Sequence, residues 1–358
     1  MSRFLNEKYQ KLKAYTPGEQ PRDMKYIKLN TNESPYPPSK GVLNAVNSSE
    51  AADLRLYSDP ECKNLKQAIA ELYGVESDNI YLSNGSDDIL NFSFMAFAGN
   101  GVKAAFPEIS YGFYKVYAEL YGLDYKMIPL KEDFSVDAKD YCSLNCFIVI
   151  ANPNAPTGKT ISKEEIINIL ESNPDNVVLI DEAYVDFGAE SVYPLIKEYK
   201  NLLVVQTFSK SRSMAGARLG FAFGDKELIS DLNKIKYSTN PYNINRITLV
   251  AGKAAIEEND YYMNNCKKII ETREWTTAEL EKIGFDVIDS KANFIFARSK
   301  EIDGGELYKA LKSEGILVRH FTDKKISDFI RITIGAREDM ETFIATVKKI
   351  LEEKNENS

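Results

Sequence analysis

The chain has 358 residues, of which 44% are hydrophobic and 27% are charged, an ordinary composition for a globular protein. Its formal net charge of −8 argues against a nucleic-acid partner. Residues 1–13 lack the apolar core of a signal peptide, and no apolar run is long enough to cross a bilayer. We therefore expect a cytoplasmic protein with no membrane partner.

Cysteine and histidine are too few and too scattered to predict a metal centre. The chain has four cysteines, Cys62, Cys142, Cys146 and Cys266, and one histidine, His320. No Cys or His pair follows Cys142 and Cys146 at the spacing of a zinc site, so we expect reduced thiols and no metal. With a single imidazole in the chain, proton transfer is expected to depend on other groups.

Short apolar runs alternate with helical patterns from residue 62 to residue 223. The predicted helices are 62–73, 87–98, 112–121 and 163–171, and the predicted strands are 80–82, 102–106, 146–151, 177–181, 202–207 and 220–223. Continuous Val, Ile and Leu runs separated by helices predict an α/β fold with a mostly parallel sheet covered on both faces.

The remaining residues divide the chain into three predicted parts. Residues 1–37 form an N-terminal arm and an extended connector, because three prolines between 30 and 39 exclude a helix. Residues 38–260 form the large domain. Residues 261–358 form a smaller α+β domain, joined by part of the arm. A long connecting helix is predicted over roughly 260–283, and after it the pattern is strand, strand, helix, strand, strand, helix.

Four polar segments follow or end predicted strands, at 83–88, 151–158, 178–184 and 207–220. Taken singly, each has a simpler interpretation, as a helix cap, a stiff turn, an ordinary ion pair or a surface loop. However, loops at the carboxyl ends of strands line the ligand crevice of an open α/β sheet. Their common position therefore favours one shared site.

The side chains of these segments indicate what the site would bind. The turn S-N-G-S-D-D at 83–88 precedes a helix and directs N–H groups at an anion such as phosphate. Asp181 ends a strand, and a partly buried carboxylate needs a cation such as a protonated pyridine nitrogen. Residues 207–220 surround Lys210 with hydroxyls and Arg218, and an amine desolvated beside cationic groups is a usable nucleophile.

In this order, the motifs N-G-S-D, N-P-N-x-P-T-G, D-E-A-Y and S-K-x-x-x-x-A-G-x-R-x-G resemble the fold-type I aminotransferases, which depend on pyridoxal 5′-phosphate (PLP). Within their class II subfamily, the chain resembles the histidinol-phosphate aminotransferase family most closely. Further matches lie at 29–35, 56–60, 318–321 and 330–335, so the resemblance covers nearly the whole chain. It implies a three-layer PLP-transferase large domain with a smaller α+β domain. It also implies amino transfer between L-histidinol phosphate and 2-oxoglutarate in histidine biosynthesis.

The resemblance also implies roles for individual residues. Lys210 would bind the cofactor covalently and move the proton, Asp181 would pair with the pyridine nitrogen, and Tyr184 would donate to the ring oxygen. Tyr111 would stack on the ring. Tyr57 would reach the cofactor phosphate of a neighbouring subunit, which implies a homodimer. The phosphate would be held by Gly85, Ser86, Asp87, Thr207, Ser209 and Arg218.

One motif departs from the family pattern. The commoner sequence has Asn directly before Pro-Thr-Gly, and that Asn bonds the ring hydroxyl. Here the position is Ala155. Asn154 is the candidate for the same bond, with Asn152 as the alternative.

For the substrates, an amino donor and a 2-oxo acid, the resemblance implies two anion-binding arginines. Arg331 matches the residue that binds the α-carboxylate, and Arg319 matches the residue that binds the phosphate of histidinol phosphate. Tyr15 and Asn32, on the arm and the connector, are candidates for closing over the substrate.

Several alternatives stay open at this stage. Threonine-phosphate decarboxylase and aromatic-amino-acid aminotransferase share the scaffold. A PLP-binding regulator is disfavoured by the short region before residue 30 and by the acidic composition. A nicotinamide dehydrogenase is disfavoured because the glycines of G-N-G-V-K-A, at 99–104, precede a strand instead of following one.

Overall fold

The computed structural model describes residues 6–356, so the first five residues of the predicted arm and the last two of the predicted C-terminal domain lie outside the described residues. Within that range the strands are β1 Ile27–Lys28, β2 Ile80–Ser83, β3 Ala104–Pro107, β4 Tyr125–Ile128, β5 Phe147–Ala151, β6 Val178–Asp181, β7 Leu202–Thr207, β8 Gly220–Gly224, β9 Phe285–Ile288, β10 Phe294–Ser299, β11 Ile316–Leu317, β12 Arg319–His320 and β13 Ile330–Thr333. The helices are α1 Lys40–Ala45, α2 Ser48–Ala52, α3 Lys63–Tyr73, α4 Ser86–Phe97, α5 Phe113–Tyr121, α6 Lys163–Ser172, α7 Lys226–Thr239, α8 Arg246–Glu257, α9 Asn259–Lys282, α10 Gly304–Ser313 and α11 Arg337–Glu356.

A seven-stranded sheet in the order β2-β8-β7-β6-β5-β3-β4 forms the centre of the fold. Its strands are parallel except for β8, which runs antiparallel to both of its neighbours. The α/β class and the mostly parallel sheet expected from the sequence are therefore confirmed. Each predicted strand of this sheet appears within two residues of its expected bounds.

The edge strand β4 was not predicted. Tyr125 is half-buried and the next two residues, Lys126 and Met127, are exposed, so only Ile128 contributes a buried apolar side chain. A strand on the edge of a sheet needs no continuous apolar run, and this one carries none.

Helices cover both faces of the central sheet because alternate residues of a strand point to opposite sides. On one face Ile148 and Val204 share an apolar cluster with residues of α3, α6 and α8. On the other face Val149 and Val205 pack with residues of α4, α5 and α7. This arrangement is the predicted three-layer architecture.

A second sheet, antiparallel and ordered β12-β13-β10-β9, packs with α9, α10 and α11 around its own apolar cluster. The short strand β1 pairs in parallel with β11 and so attaches the segment before residue 30 to this part of the fold. The proposed division into residues 1–37, 38–260 and 261–358 stays a prediction.

Between residues 6 and 356, no helix has both the length and the apolar character needed to span a membrane.

Candidate active site

A cavity of about 230 Å³ lies at the carboxyl ends of β5, β6 and β7. All four polar segments contribute to its wall, so they meet as the parallel topology requires. Nine of the predicted cofactor-binding residues line it: Ser86, Asp87, Tyr111, Asp181, Tyr184, Thr207, Ser209, Lys210 and Arg218.

Lys210 places a primary amine in this cavity, three residues after the end of β7. Its Nζ donates a hydrogen bond to the carbonyl oxygen of Thr31 at 3.3 Å. The same nitrogen lies 5.6 Å from the centre of the Tyr184 ring. The amine is thus held by a backbone acceptor, and a neutral acceptor leaves it available for a ligand.

Asp181 is a buried carboxylate at the end of β6, with 5% of its surface exposed. One oxygen accepts from the N–H of Ala183 at 3.1 Å, and the other accepts from the hydroxyl of Tyr114 at 2.8 Å. Burial raises the pKa of Asp181 to about 6 despite these donors. A cation in the cavity would offset this desolvation. The sequence did not point to Tyr114.

The start of α4 forms one end of the cavity. Gly85 has a positive φ of 87°, and no side chain caps the following helix in this part of the described chain. A Cβ atom on Gly220 would lie 2.5 Å from the backbone nitrogen of Ser86, so only glycine fits there. The open N–H groups and the helix dipole suit an anion.

Arg218 and Asp87 form an ion pair of 2.9 Å beside this helix start. Asp87 also accepts a hydrogen bond of 2.7 Å from the hydroxyl of Tyr111. Because a carboxylate only accepts hydrogen bonds, Asp87 could contact a phosphate through its backbone N–H alone. Its side chain instead fixes Arg218 and Tyr111, whose ring borders the cavity.

Neither candidate asparagine reaches the cavity wall, which is formed there by Ala155. The Asn154 amide donates to Ile109 and Thr157, at 3.0 and 3.1 Å, and accepts from Ser110 at 2.7 Å. Both of its amide hydrogens are therefore engaged in fixing the loop. The side chain of the alternative, Asn152, exchanges two hydrogen bonds with the backbone of Ile161.

Tyr57 also lies outside the cavity, with 79% of its surface exposed. Its ring stacks on Tyr242, with centroids 4.5 Å apart. The loop is anchored by Lys236, a buried lysine whose Nζ donates to the carbonyl oxygen of Pro60 at 2.9 Å. The exposed aromatic pair is therefore held in a defined position.

A second cavity of about 380 Å³ adjoins the first. Its wall includes all four predicted substrate-binding residues, Tyr15, Asn32, Arg319 and Arg331. Lys210, Tyr111 and Tyr184 line both cavities. A molecule in the second cavity would thus lie directly against the amine.

The two arginines differ in their surroundings. Arg331, on β13, donates to the carbonyl oxygen of Asn30 at 3.0 Å, while its Nε is buried with no acceptor. An unsatisfied buried donor on a guanidinium fits a carboxylate ligand. Arg319 donates to the carbonyl oxygens of Thr16 and Pro17, both at 3.3 Å, and so contacts the arm.

The first cavity fits pyridoxal phosphate on these observations. It offers an uncapped helix start with two glycines for the phosphate, a buried carboxylate with no direct ion-pair partner among the described residues, and one amine. Residues 24–347 match the family described as aminotransferase class I and II. The chain belongs to this family. The family confirms the aminotransferase chemistry and the cofactor expected from the sequence.

Individual relatives narrow the comparison. A histidinol-phosphate aminotransferase of Brachyspira hyodysenteriae is 53% identical over 352 residues, which cover 98% of this chain and 99% of that protein. Another, of Clostridium acetobutylicum, is 49% identical over 351 residues, with 98% and 100% covered. The predicted resemblance to this group is confirmed.

Solved structures agree in fold. The crystal structure of a histidinol-phosphate aminotransferase from Clostridium acetobutylicum superimposes with a TM-score of 0.84 at 27% identity, covering 91% of this chain and 99% of that one. The Sinorhizobium meliloti enzyme in complex with pyridoxal-5′-phosphate gives 0.83 at 23% identity, with 92% of both chains covered, and shows the same fold.

Proposed function

We propose that this protein is a histidinol-phosphate aminotransferase, which transfers an amino group between L-histidinol phosphate and 2-oxoglutarate in cytoplasmic histidine biosynthesis. The observation that carries the proposal is the second cavity, where two arginines face a lysine amine shared with the cofactor cavity. Relatives about half identical over nearly their whole length carry this name. The reaction needs one amine and positive groups that bind two anionic substrates, and the lysine and the two arginines supply them.

In this proposal the first cavity holds pyridoxal phosphate. The ring, when bound, supplies the electron sink that stabilises negative charge on the substrate carbon. Asp181 would pair with the ring nitrogen and keep it protonated, and the hydroxyl of Tyr184 would donate to the ring oxygen. The ring of Tyr111 would pack against the cofactor ring. The start of α4 and Arg218 would hold the phosphate.

Lys210 carries the proton in this scheme. Its amine borders both cavities, so it can accept a proton from Cα of the substrate and return it on the cofactor side. The single histidine, His320, lines neither cavity, and its Nε2 lies 2.8 Å from the carbonyl oxygen of Ser327. The lysine therefore takes the role of the acid and the base.

The two substrates use the second cavity in turn. Glutamate would enter in one half-reaction and depart as 2-oxoglutarate, so that over both half-reactions its amino group replaces the keto oxygen of the phosphorylated ketone. Histidinol phosphate or its ketone would enter in the other half-reaction. Arg331 binds the α-carboxylate of glutamate, and Arg319 binds the phosphate group of the larger substrate.

The proposal is tested by incubating the cofactor-loaded protein with histidinol phosphate and 2-oxoglutarate. Glutamate should accumulate in proportion to the phosphorylated ketone. Release of carbon dioxide from threonine phosphate would instead indicate a decarboxylase. A preference for phenylalanine or tyrosine as amino donor would indicate an aromatic-amino-acid aminotransferase. Either of these results, without glutamate from histidinol phosphate, rejects the proposal.

Replacement of Arg319 by alanine should raise the KM for histidinol phosphate about 10-fold to 100-fold, because a hydrogen bond to a charged group contributes roughly 1.5–3 kcal/mol. The KM for glutamate should change much less. Steady-state kinetics with each substrate measures both. Arg298→Ala, which removes an arginine from an exposed ion pair with Asp286, is the matched control. Equal effects of Arg319→Ala on both substrates would exclude the phosphate role.

We further propose a homodimer in which Tyr57 reaches the cofactor phosphate of the partner subunit. The support is its position, since Tyr57 is exposed on the surface, stacks on Tyr242 and lies on a loop that Lys236 anchors at Pro60, so it can serve a site outside its own chain. Exposed apolar side chains on neighbouring segments, Leu54 and Leu56, are suited to a contact between copies.

A hybrid dimer tests this arrangement. One chain carries Tyr57→Ala and the other carries Lys210→Ala, and the two are co-expressed with different tags and purified through both. If Tyr57 acts across subunits, the hybrid has one intact site and roughly half of the activity per dimer. Each parent homodimer should be much less active. If the activity per hybrid dimer does not exceed the mean of the activities of the two parent homodimers, Tyr57 does not act across subunits.

A further inference from the structure

The connector contacts the catalytic lysine, the ring-facing tyrosine and the carboxylate-binding arginine through consecutive residues. The carbonyl oxygen of Asn30 accepts from Arg331 at 3.0 Å, and that of Thr31 accepts from Lys210 at 3.3 Å. The side chain of Asn32 donates to the hydroxyl oxygen of Tyr184 at 3.0 Å. Residues 30–32 therefore join groups that come from three distant parts of the sequence.

Asn32 is the least replaceable member of this segment. Its backbone is left-handed, with φ at 55°, and only 1% of its surface is exposed. Its N–H donates to the hydroxyl of Thr333 at 2.9 Å, and that hydroxyl donates back to Oδ1 at 2.9 Å. Its carbonyl oxygen accepts from Asn293 at 3.1 Å. The amide is thus fixed in one orientation.

The partner of the Tyr184 hydroxyl hydrogen determines whether Tyr184 can donate a hydrogen bond to a ligand. A phenol has one hydrogen to donate. Because the nitrogen of the Asn32 amide donates to the Tyr184 oxygen, that hydrogen is not spent on Asn32. It is left for an acceptor in the cavity that Tyr184 lines. The reverse amide orientation would draw the hydrogen away, and it would also leave the Thr333 hydroxyl without its acceptor.

We infer that Asn32 is a positioning residue, which fixes Tyr184 as a hydrogen-bond donor to the ring oxygen of the cofactor. Thr333 acts behind it by setting the direction of the Asn32 amide. Since Thr333 lies on β13, two residues from Arg331, the strand that binds the substrate carboxylate also sets the polarity of this donor. The inference rests on the proposed function, because it requires pyridoxal phosphate in the first cavity.

The test uses the visible absorbance of the cofactor-bound protein as a function of pH. The absorbance changes as the Lys210 nitrogen, joined to the cofactor, loses its proton. That proton and the Tyr184 hydroxyl both donate to the ring oxygen, so the tyrosine stabilises the form that has lost the proton. Losing the tyrosine donor therefore raises the pH at the midpoint of this titration. Asn32→Asp keeps the shape and the left-handed backbone, but it turns the amide donor into an acceptor. We expect its midpoint to rise by about one pKa unit, as in Tyr184→Phe.

A double variant separates this effect from the added charge. If Asn32 acts through Tyr184, the midpoint shift caused by Asn32→Asp in the Tyr184→Phe background should be less than a third of the shift that Asn32→Asp causes in the otherwise unaltered protein. The neutral pair at residue 333 is the second control, where Thr333→Val should raise the midpoint and Thr333→Ser should not. These substitutions leave unchanged the other charged groups that border the two cavities besides Lys210, which are Glu33, Asp87, Asp181, Arg218, Arg319 and Arg331.

The outcomes are distinguishable. A shift that persists undiminished in the Tyr184→Phe background would show an effect of charge alone and overturn the inference. So would an unchanged midpoint in Asn32→Asp while Tyr184→Phe moves it, or an unchanged midpoint in Tyr184→Phe itself. If the unaltered protein shows no titrating visible band with pyridoxal phosphate, the proposed function fails first.

Discussion

Replacement of Lys210 by alanine should lower turnover by about 10⁴-fold or more, because in the proposed mechanism the variant loses both the covalent attachment point and the proton carrier. The protein should still fold, since the side chain borders a cavity and contributes little to the core. Steady-state turnover and thermal unfolding measure the two effects. Borohydride reduction followed by mass spectrometry should add the cofactor mass at Lys210 in the unaltered protein.

The matched control is Lys159→Ala. Lys159 follows the N-P-N-A-P-T-G loop and pairs at 2.9 Å with Asp133 on the surface. Losing an exposed ion pair costs about 1 kcal/mol at most and should leave turnover nearly unchanged. Full activity of Lys210→Ala, or borohydride labelling of another residue, would contradict the proposed mechanism.

The residues that sequence patterns identified are those whose position follows from local order along the chain. Asp181 and Lys210 lie at or after the ends of β6 and β7, which are adjacent and parallel, so their approach follows from the topology. Ser86 is the first residue of α4, three residues after the end of β2, and so lies at the same edge of the sheet as Asp181 and Lys210. Nine of twelve predicted cofactor residues line one cavity for this reason.

The residues that were missed depend on packing between distant segments. The carbonyl oxygens of Asn30 and Thr31 carry no sequence signal, because every residue has one. Thr333 meets Asn32 across 301 positions of the sequence. Tyr114 lies on α5, and its hydroxyl meets Asp181 across 67 positions of the sequence.

The burial of Asp181 lowers the free energy of unfolding of the protein when this carboxyl is ionised. The Asp181 carboxylate is buried and forms no direct ion pair within residues 6–356, and burial raises its pKa to about 6, above the value of 3.8 for an unperturbed carboxyl. The folded state therefore binds the proton more tightly than the unfolded state does. Ionisation of Asp181 opposes folding above pH 6, and this effect disappears below about pH 4. The cofactor would supply the missing cation.

Replacement of Asp181 by asparagine should consequently have opposite effects on stability and activity. In the cofactor-free protein, the free energy of unfolding of the variant relative to the original should increase by about 2.4 kcal/mol between pH 4 and pH 8, because most of the effect of a pKa raised from 3.8 to about 6 develops between these two pH values. Urea unfolding at the two pH values measures this change. Turnover should fall about 10²-fold to 10³-fold, because the ring nitrogen loses the charge that keeps it protonated.

The comparison between pH values isolates the charge from the hydrogen bonds. Asparagine alters the bonds to Tyr114 and Ala183 at every pH, so that contribution cancels in the difference. Asp286→Asn is the control, because Asp286 is an exposed carboxylate whose pKa is lowered by Lys300 and Arg298, and its relative stability should change with pH in the opposite direction. A relative stability of Asp181→Asn that is the same at pH 4 and pH 8 would mean that Asp181 ionises in the folded protein without a desolvation cost. The pyridinium nitrogen would then not be needed to balance a buried charge, and the physical basis for placing the cofactor ring against Asp181 would be lost.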